Sequence, residues 1–335
     1  MPPNHYLIAP LNWGLGHASR CIPLIRQLLA QGHRVTLASD GAALALLRAE
    51  FPQLAALQLP SYHIRYPTKN MVFNMLWQLP NIFRAARAEH IFLQKTIQQI
   101  DIQIVISDNR YGCFGAKTKN IFLTHQINLQ APLGGRFLSK IQQYFIRHFD
   151  EIWVPDFASE PNLSGKLSHG GIVSSKIHFI GPLTRMKFLA DVRPTRDVIA
   201  VLSGPEPQRA IFQEQIISQA LALPHYTFLI VEGDTSTKKN IQIADNVQIT
   251  SFLTSEELNQ QMAASRFVVA RSGYSTLMDL WILQKLTLLV PTPGQTEQEY
   301  LADFFVKKGI YFTQKQTKFN LATALVQLAK RHSLV

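Results

Sequence analysis

The chain has 335 residues, 47% of them hydrophobic and only 16% charged, which excludes a disordered polypeptide and leaves material for two domains. Lys and Arg (33) exceed Asp and Glu (22), giving a formal charge of +11. That balance suits a phosphorylated substrate, an anionic membrane surface or a nucleic acid. Cys21 and Cys113 lie far apart with no CxxC partner, which excludes a disulfide framework and a cysteine zinc site.

The first residues, MPPNHYLIAP, lack a charged segment leading into a long apolar run, and no stretch reaches about 18 uninterrupted apolar residues. A reducing, cytoplasmic setting is therefore expected. Residues 6–10 read as a short apolar strand, and 11–17 as a glycine-rich loop containing Gly14 and Gly16. Ile22, Leu24, Ile25, Leu28 and Leu29 predict a helix over 18–30, closed by Gly32. A strand at 33–38 and a helix at 42–50 follow. This β-α-β-α order is the pattern of a doubly wound α/β sheet. Gly14, Gly16 and Asp40 invite a dinucleotide reading. Ser19, however, stands where the third glycine of GxGxxG belongs, and His17 intrudes.

The stretch from Tyr62 to Arg87 mixes aromatic, apolar and basic residues. It reads either as a core helix or as one lying at a membrane interface. Strands at 102–106 and 121–123 end in Ser107-Asp108-Asn109-Arg110 and Thr124-His125-Gln126; two more follow at 152–154 and 177–180. His17, Asp108 and His125 thus fall just beyond strand ends on one sheet edge, where ligands bind in this architecture.

Gly181-Pro182 and Arg193-Pro194 bracket a polar stretch. The expected organisation is a first domain at 1–182, a linker at 183–196 and a second domain at 197–335. The last helix, 320–330, is a candidate to pack back on the first domain. In the second half, a strand at 198–202 ends in Ser203-Gly204-Pro205-Glu206-Pro207 before a helix at 208–221. A strand at 226–231 and a short one at 247–249 precede Phe252-Leu253, and Thr254 to Glu257 cap the next helix. Then come a strand at 267–270, the turn Arg271-Ser272-Gly273, a helix at 274–283, a strand at 286–290, the loop 291–294 and a helix from 295. Gly273 allows close backbone approach, and the next helix start can hold a phosphate. Asp279, Gln298 and Glu299 have side chains suited to a ribose diol.

Two Rossmann-like halves with polar loops facing a cleft resemble the GT-B architecture. Particular residues resemble glycosyltransferase family 28, which includes the peptidoglycan enzyme that moves N-acetylglucosamine from UDP onto a lipid-linked acceptor. Arg271-Ser272-Gly273 with Thr276 and Asp279 matches the family's RSGxxTxxE segment, and 291–300 with Gln298 matches its donor-binding loop. Gly14, Gly16 and His17 resemble its N-terminal loop. Phe252-Leu253 falls where the family holds uracil, Arg185 resembles an arginine that reaches a phosphate, and His125-Gln126 resembles part of an acceptor-side motif. The resemblance implies that these second-half residues, with Ser203 and Glu299, bind a UDP-linked hexose or N-acetylhexosamine. It implies that Gly14, Gly16, His125 and Gln126 face the acceptor. There are departures: Asp279 replaces Glu, Glu299 replaces a second Gln, and Ser203 to Pro207 replaces a glycine-rich phosphate loop. In that loop two prolines remove N–H donors and Glu206 opposes a phosphate.

No DxD motif or His/Cys cluster is visible. The expectation is inverting, metal-independent sugar transfer without a cofactor, the nucleotide sugar being a co-substrate. His17 is the candidate general base, since a free imidazole with a pKa of about 6.5 suits that role. Asp108 is the alternative base or the orienting group. A lipid-linked or polysaccharide acceptor is expected, with peripheral contact to an anionic inner membrane face through 62–87. The alternative is a nucleotide-sugar hydrolase or epimerase, because related hydrolases carry a loop like Gly16-His17-Ala18-Ser19-Arg20. No nucleic acid is expected, since Lys and Arg are spread and no nucleic-acid-binding motif appears.

Overall fold

A computed structural model of the chain describes residues 3–62, 71–128, 135–171, 174–204, 206–234 and 239–332. They divide into two compact units, Met1–Leu183 and Thr184–Val335. The first unit runs β1 (His5–Pro10), α1 (Gly16–Ala30), β2 (Arg34–Ser39), α2 (Gly41–Glu50), β3 (Ala56–Gln58) and α3 (Met71–Gln99). It continues through β4 (Ile104–Asp108), β5 (Lys119–Leu123), α4 (Gly135–Ile146), β6 (Glu151–Val154) and β7 (Ile177–Phe179). Its seven strands are parallel in the order β3-β2-β1-β4-β5-β6-β7. The chain winds outward from β1 one way, then restarts at β4 and winds the other way. The reversal lies between β1 and β4, and a crevice opens there at the carboxyl ends of the strands. The two strands pair to their last residues, Pro10 opposite Asp108.

The second unit repeats this plan with β8 (Arg196–Val201), α5 (Gln208–Leu221), β9 (Phe228–Val231), β10 (Asn240–Ala244), β11 (Val247–Thr250), α6 (Ser255–Ala263) and β12 (Ser265–Ala270). It ends with α7 (Tyr274–Leu283), β13 (Leu286–Leu289), α8 (Thr296–Lys307), β14 (Phe312–Thr313) and α9 (Leu321–His332). The order is β10-β11-β9-β8-β12-β13-β14, with β10 antiparallel at the edge. Here the reversal lies between β8 and β12, where Val201 faces Ala270.

Each sheet is buried by apolar runs on its strands. Leu7, Ala9, Val105 and Ile102 join Leu93 of α3 in the first core. In the second, Val198, Ala200, Phe267, Val269 and Leu288 meet Phe212 and Ile216 of α5. α6 starts with a capping box: the Glu257 amide donates to the Thr254 hydroxyl, and Glu257 Oε2 accepts from the Thr254 amide at 2.8 Å. Such a cap is worth about 1 kcal/mol.

Several expectations change. Leu321, Ala324, Leu325 and Leu328 of α9 recur at i, i+3, i+4 and i+7 and are all at most 1% exposed within the second core. The apolar face of the last helix is therefore occupied in its own unit. Residues 184–195 do not hang as a linker. The Thr184 hydroxyl donates to Asp279, the Lys187 amide to Asn259 at 2.8 Å and the Thr195 amide to the Ala264 carbonyl at 2.9 Å. β3 and β14 have only three and two residues, too few for a periodic signal, and β10 is an exposed edge strand. The aromatic and basic loop at 63–70 lies outside the described residues, as does Pro205. From Met71 onward the chain forms one 29-residue helix, α3.

Candidate functional site

In the first unit the β1–β4 crevice gathers the polar residues that follow three strand ends. Gly14, with φ +73°, lets the chain turn from β1 into α1, so that Gly16 and His17 open the helix. His17 Nδ1 lies 2.8 Å from Asp108 Oδ1, at the end of β4. One turn along α1, Arg20 forks onto the same carboxylate. Its Nε donates to Oδ2 at 2.6 Å and one terminal nitrogen donates to Oδ1. The other terminal nitrogen lies 2.9 Å from Nδ1 of His125, which follows β5. Asp108 is fully buried and Arg20 is 1% exposed, whereas the His17 side chain is 12% exposed. Burial alone would push the Asp108 carboxyl up, but the Arg20 guanidinium and His17 hold it well below the ordinary carboxylate range. Asp108 is thus a fixed anion near neutral pH. It lies against Nδ1 of His17. Among the described residues, His17 Nε2 has no hydrogen-bond partner.

A second buried ion cluster forms around Arg110. Arg110, two residues beyond Asp108, pairs through Nε with Glu89 of α3 and through a terminal nitrogen with Asp40 at 2.7 Å. It also donates to the Pro60 carbonyl at 2.7 Å. Glu89 accepts from the Tyr62 hydroxyl at 2.8 Å and from the Gly112 amide at 3.0 Å. A Cβ on Gly112 would stand 2.0 Å from the Ala86 carbonyl oxygen, so only glycine lets this loop reach α3. Asn109, between Asp108 and Arg110, takes φ +57°, a left-handed turn that asparagine tolerates. Asp40, the residue a dinucleotide enzyme would use for ribose, is committed to Arg110 and Asn12. The sequence placed Arg110 in a polar cluster but gave no sign of Glu89, which sits mid-helix in an ordinary polar pattern. Gln126 lies half-buried beside His125, its carbonyl accepting from Gln142 at 2.7 Å.

In the second unit the expected donor residues separate into two groups. Arg271 and Ser272 are fully buried and turned inward. Arg271 donates to the Val290, Pro291 and Gln208 carbonyls and stacks 4.2 Å from the Phe212 ring centroid; burial lowers its pKa to about 10. Ser272 donates to the Gln298 carbonyl at 2.7 Å, and Gln298 Oε1 accepts from the Thr292 amide at 2.8 Å. These three lace the loop after β12 to the loop after β13. Both loops are thereby held together at the carboxyl ends of β12 and β13. Glu299 is exposed and accepts from the Gly294 amide at 3.2 Å.

Gly273, Thr276, Ser203, Phe252 and Leu253 are only partly buried, and all but Thr276 follow strand ends. Gly273 caps α7 in extended conformation, with no side-chain oxygen covering the helix start. Asp279 and Arg185 come together. Asp279 Oδ1 accepts from the Thr184 hydroxyl at 2.6 Å, and burial raises its pKa while Arg185 and Thr184 oppose the rise. Glu206, which opposes a phosphate on sequence grounds, is drawn to Arg209 at 2.6 Å and to the Ala210 amide at 3.2 Å. Its charge is spent on the start of α5.

Comparisons with known proteins agree with the two-sheet α/β fold. Residues 198–333 match the model of the glycosyltransferase family 28 C-terminal domain. A protein of Methanosarcina mazei named as an uncharacterized glycosyltransferase is 24% identical over 325 residues, covering 88% of this chain and 82% of its own. A UDP-N-acetylglucosamine–N-acetylmuramyl-(pentapeptide) pyrophosphoryl-undecaprenol N-acetylglucosamine transferase of Methylobacterium sp. is 39% identical over 66 residues, 19% of this chain and 18% of its own. Among solved structures, the glycotransferase of kitacinnamycin superposes with a TM-score of 0.64 at 18% identity, covering 99% of this chain and 92% of its own.

Proposed function

We propose that this chain, a glycosyltransferase of GT-B fold whose residues 198–333 match the family 28 C-terminal domain, moves a sugar from a nucleoside diphosphate to a hydroxyl acceptor, with His17 as the general base. The observation that carries this reading is the His17–Asp108 pair. With Nδ1 tied to a permanent anion, Nε2 is left to accept a proton. As the acceptor oxygen attacks the anomeric carbon, its proton passes to His17 Nε2. The bond from that carbon to the diphosphate oxygen breaks, and its electron pair leaves with the diphosphate. Attack opposite the leaving group inverts the anomeric centre. The α7 helix start and Arg185 supply positive potential for the diphosphate. This route asks for no metal. The name of the Methylobacterium relative supports UDP as the donor nucleotide and a lipid-linked acceptor.

The assay uses UDP- and dTDP-linked hexoses and N-acetylhexosamines in EDTA buffer, with alcohol, polysaccharide and lipid-linked acceptors, and reads the product anomer by NMR. His17→Ala is expected to lower the rate by about 10²–10⁴-fold while calorimetric UDP binding stays as in the wild type. Turnover of His17→Ala near the wild-type rate removes the base assignment. Release of free sugar at the same rate without acceptor returns the hydrolase alternative.

Peripheral contact with an anionic membrane belongs to the same reading. No described helix is long and apolar enough to cross a membrane. Phe83 of α3 and Tyr144 of α4 are 42% and 49% exposed, their rings 6.3 Å apart. Arg84, Arg87 and Arg147 are exposed around them, and Arg147 stacks on Tyr144. Aromatic rings ringed by cations suit an anionic interface, and so an inner-leaflet location. Co-flotation with phosphatidylglycerol vesicles at low salt is expected, and is expected to vanish with phosphatidylcholine alone. Protein left in the bottom fraction with both removes the membrane contact.

A further inference from the structure

Among the described residues three arginines are fully buried, Arg20, Arg110 and Arg271. Arg20 forks onto Asp108, and Arg110 pairs with Glu89 and Asp40. Arg271 meets no carboxylate. Its guanidinium donates to the backbone carbonyls of Val290, Pro291 and Gln208, and its buried Nε has no partner among the described residues. Every Asp and Glu of the chain lies among those residues. In the neighbouring loops the acids are engaged elsewhere: Glu206 with Arg209, Asp279 with the Thr184 hydroxyl and Glu299 with the Gly294 amide. Burial lowers the Arg271 pKa to about 10, and no charge opposes it; at Arg110 the same burial is outweighed by Glu89, and the pKa rises. A buried cation without a counter-ion is costly, because nothing fully replaces its lost hydration.

Its place in the sheet says which anion would complete it. Arg271 follows the end of β12 at the reversal between β8 and β12, where Val201 faces Ala270. Two residues on, Gly273 opens the ten-residue helix α7 and has no side chain with which to cap its positive end. On the other side of the reversal, Gly204 follows β8 with φ +106°. Apart from its chain neighbours, a Cβ there would meet one atom within 4 Å, Thr292 Oγ1 at 3.5 Å. Thr292 is 4% exposed, and that hydroxyl oxygen has no partner among the described residues. A helix start, an open glycine, an unpaired hydroxyl and an uncompensated cation therefore lie at one reversal, and all of them suit an anion.

We infer that Arg271 selects the donor by charge rather than by contact: the diphosphate of the nucleotide is the counter-ion that this buried guanidinium lacks. The inference rests on the reading of the chain as a transferase that uses a nucleoside diphosphate sugar. The guanidinium stays on its three carbonyls, and its field acts through the β12 loop on phosphates seated at the start of α7. At an effective dielectric constant of about 20, one unit charge over roughly 10 Å changes binding on the order of tenfold. Burial keeps salt from screening much of it. The effect grows during the reaction. When the bond to the anomeric carbon breaks, its electron pair leaves with the diphosphate, which gains one negative charge, so the same cation favours departure.

The test is calorimetric titration of the full chain with UDP, inorganic pyrophosphate and uridine, in the wild type and two variants. Arg271→Gln keeps an amide that can donate to the carbonyls but carries no charge. Arg271→Lys keeps the charge. The wild type is expected to bind UDP and pyrophosphate. In Arg271→Gln both are expected to weaken by about 10–10²-fold, with uridine within about threefold of wild type. In Arg271→Lys all three ligands are expected to stay within about fivefold. Equal losses for UDP and uridine, or equal losses in the two variants, would mean that Arg271 serves only to hold the loops together, and would overturn the inference. Wild-type affinities in Arg271→Gln overturn it while leaving the transferase reading in place. A wild type that binds neither UDP nor pyrophosphate removes both.

Should neither variant fold, the wild type still decides. Labelling with ¹⁵N-arginine gives the Arg271 Nε–H signal, identified by its proximity to the Phe212 ring, whose centroid lies 4.2 Å from Cζ. That signal is expected to shift with pyrophosphate and to stay in place with uridine. A signal unmoved by saturating pyrophosphate overturns the inference.

Discussion

Asp108→Asn is expected to lower turnover by about 10²–10⁴-fold and to leave UDP affinity unchanged. Three effects act together. The asparagine amide can turn its NH₂ toward His17 Nδ1, which then accepts and leaves the ring proton on Nε2. A catalytic histidine forced into the wrong tautomer loses on the order of 10⁴ in rate. The anion that stabilises the imidazolium formed during proton transfer is also gone. Arg20, 1% exposed, loses the carboxylate onto which it forks. Steady-state rates and calorimetry with UDP read the two halves separately. Turnover within threefold of wild type would show that Asp108 has no part in the chemistry. A parallel loss of UDP affinity would show that the substitution damages the fold.

The same substitution has a consequence in acid. Asp108 is held well below the ordinary carboxylate range in the folded chain, so the unfolded chain binds its proton more readily. Its contribution to stability is fully present above the unfolded pKa of about 4. That contribution is lost as pH falls below that value toward the folded pKa. Asp279 works in the opposite sense: burial raises its pKa, so its effect on stability improves as the pH drops. Acid unfolding of the wild type is therefore expected to owe more to the Asp108 cluster. In Asp108→Asn that part of the pH dependence disappears, although the variant is less stable at neutral pH.

The sequence carried the architecture because the alternation of apolar strands with helices is a local, periodic signal. The helices at 208–221 and 274–283 have the bounds their spacing predicts. His17, Asp108 and His125 were found because each follows a strand, and a doubly wound sheet brings such positions to one edge. The motif at 271–279 was legible as a motif, but not the direction of its side chains. Arg271 and Ser272 turn inward because a buried guanidinium can satisfy three carbonyls of the surrounding loops, which no spacing reveals. Asp279 meets Thr184 from 95 positions away, so a stretch that reads as a linker is bound. Arg20 and Glu89 were hidden for the same reason. Their partners are 88 and 21 residues distant, and nothing local marks a charged residue that will be buried.

Glu89→Gln is expected to destabilise the first unit by about 3–5 kcal/mol, the usual cost of removing one partner from a buried ion pair, read as a lower urea midpoint. Glu89 and Arg110 are both fully buried. Burial opposes the Arg110 charge, and Glu89 and Asp40 outweigh it, holding the guanidinium pKa above its ordinary value. With glutamine, Arg110 keeps Asp40 alone. The other carboxylate oxygen now accepts from the Tyr62 hydroxyl and the Gly112 amide. A glutamine that keeps its carbonyl on Arg110 would point NH₂ at these two donors. Tyr62→Phe removes only one of those bonds, so it is expected to cost about 1 kcal/mol. A loss below about 1 kcal/mol in Glu89→Gln would mean that water reaches the cluster and solvates Arg110. A loss of the expected size has a second consequence. The turn at Asn109 joins Arg110 to Asp108 directly, so loosening Arg110 displaces the anion that orients His17. Turnover of Glu89→Gln should then fall at temperatures where the protein is still folded, although Glu89 touches neither histidine.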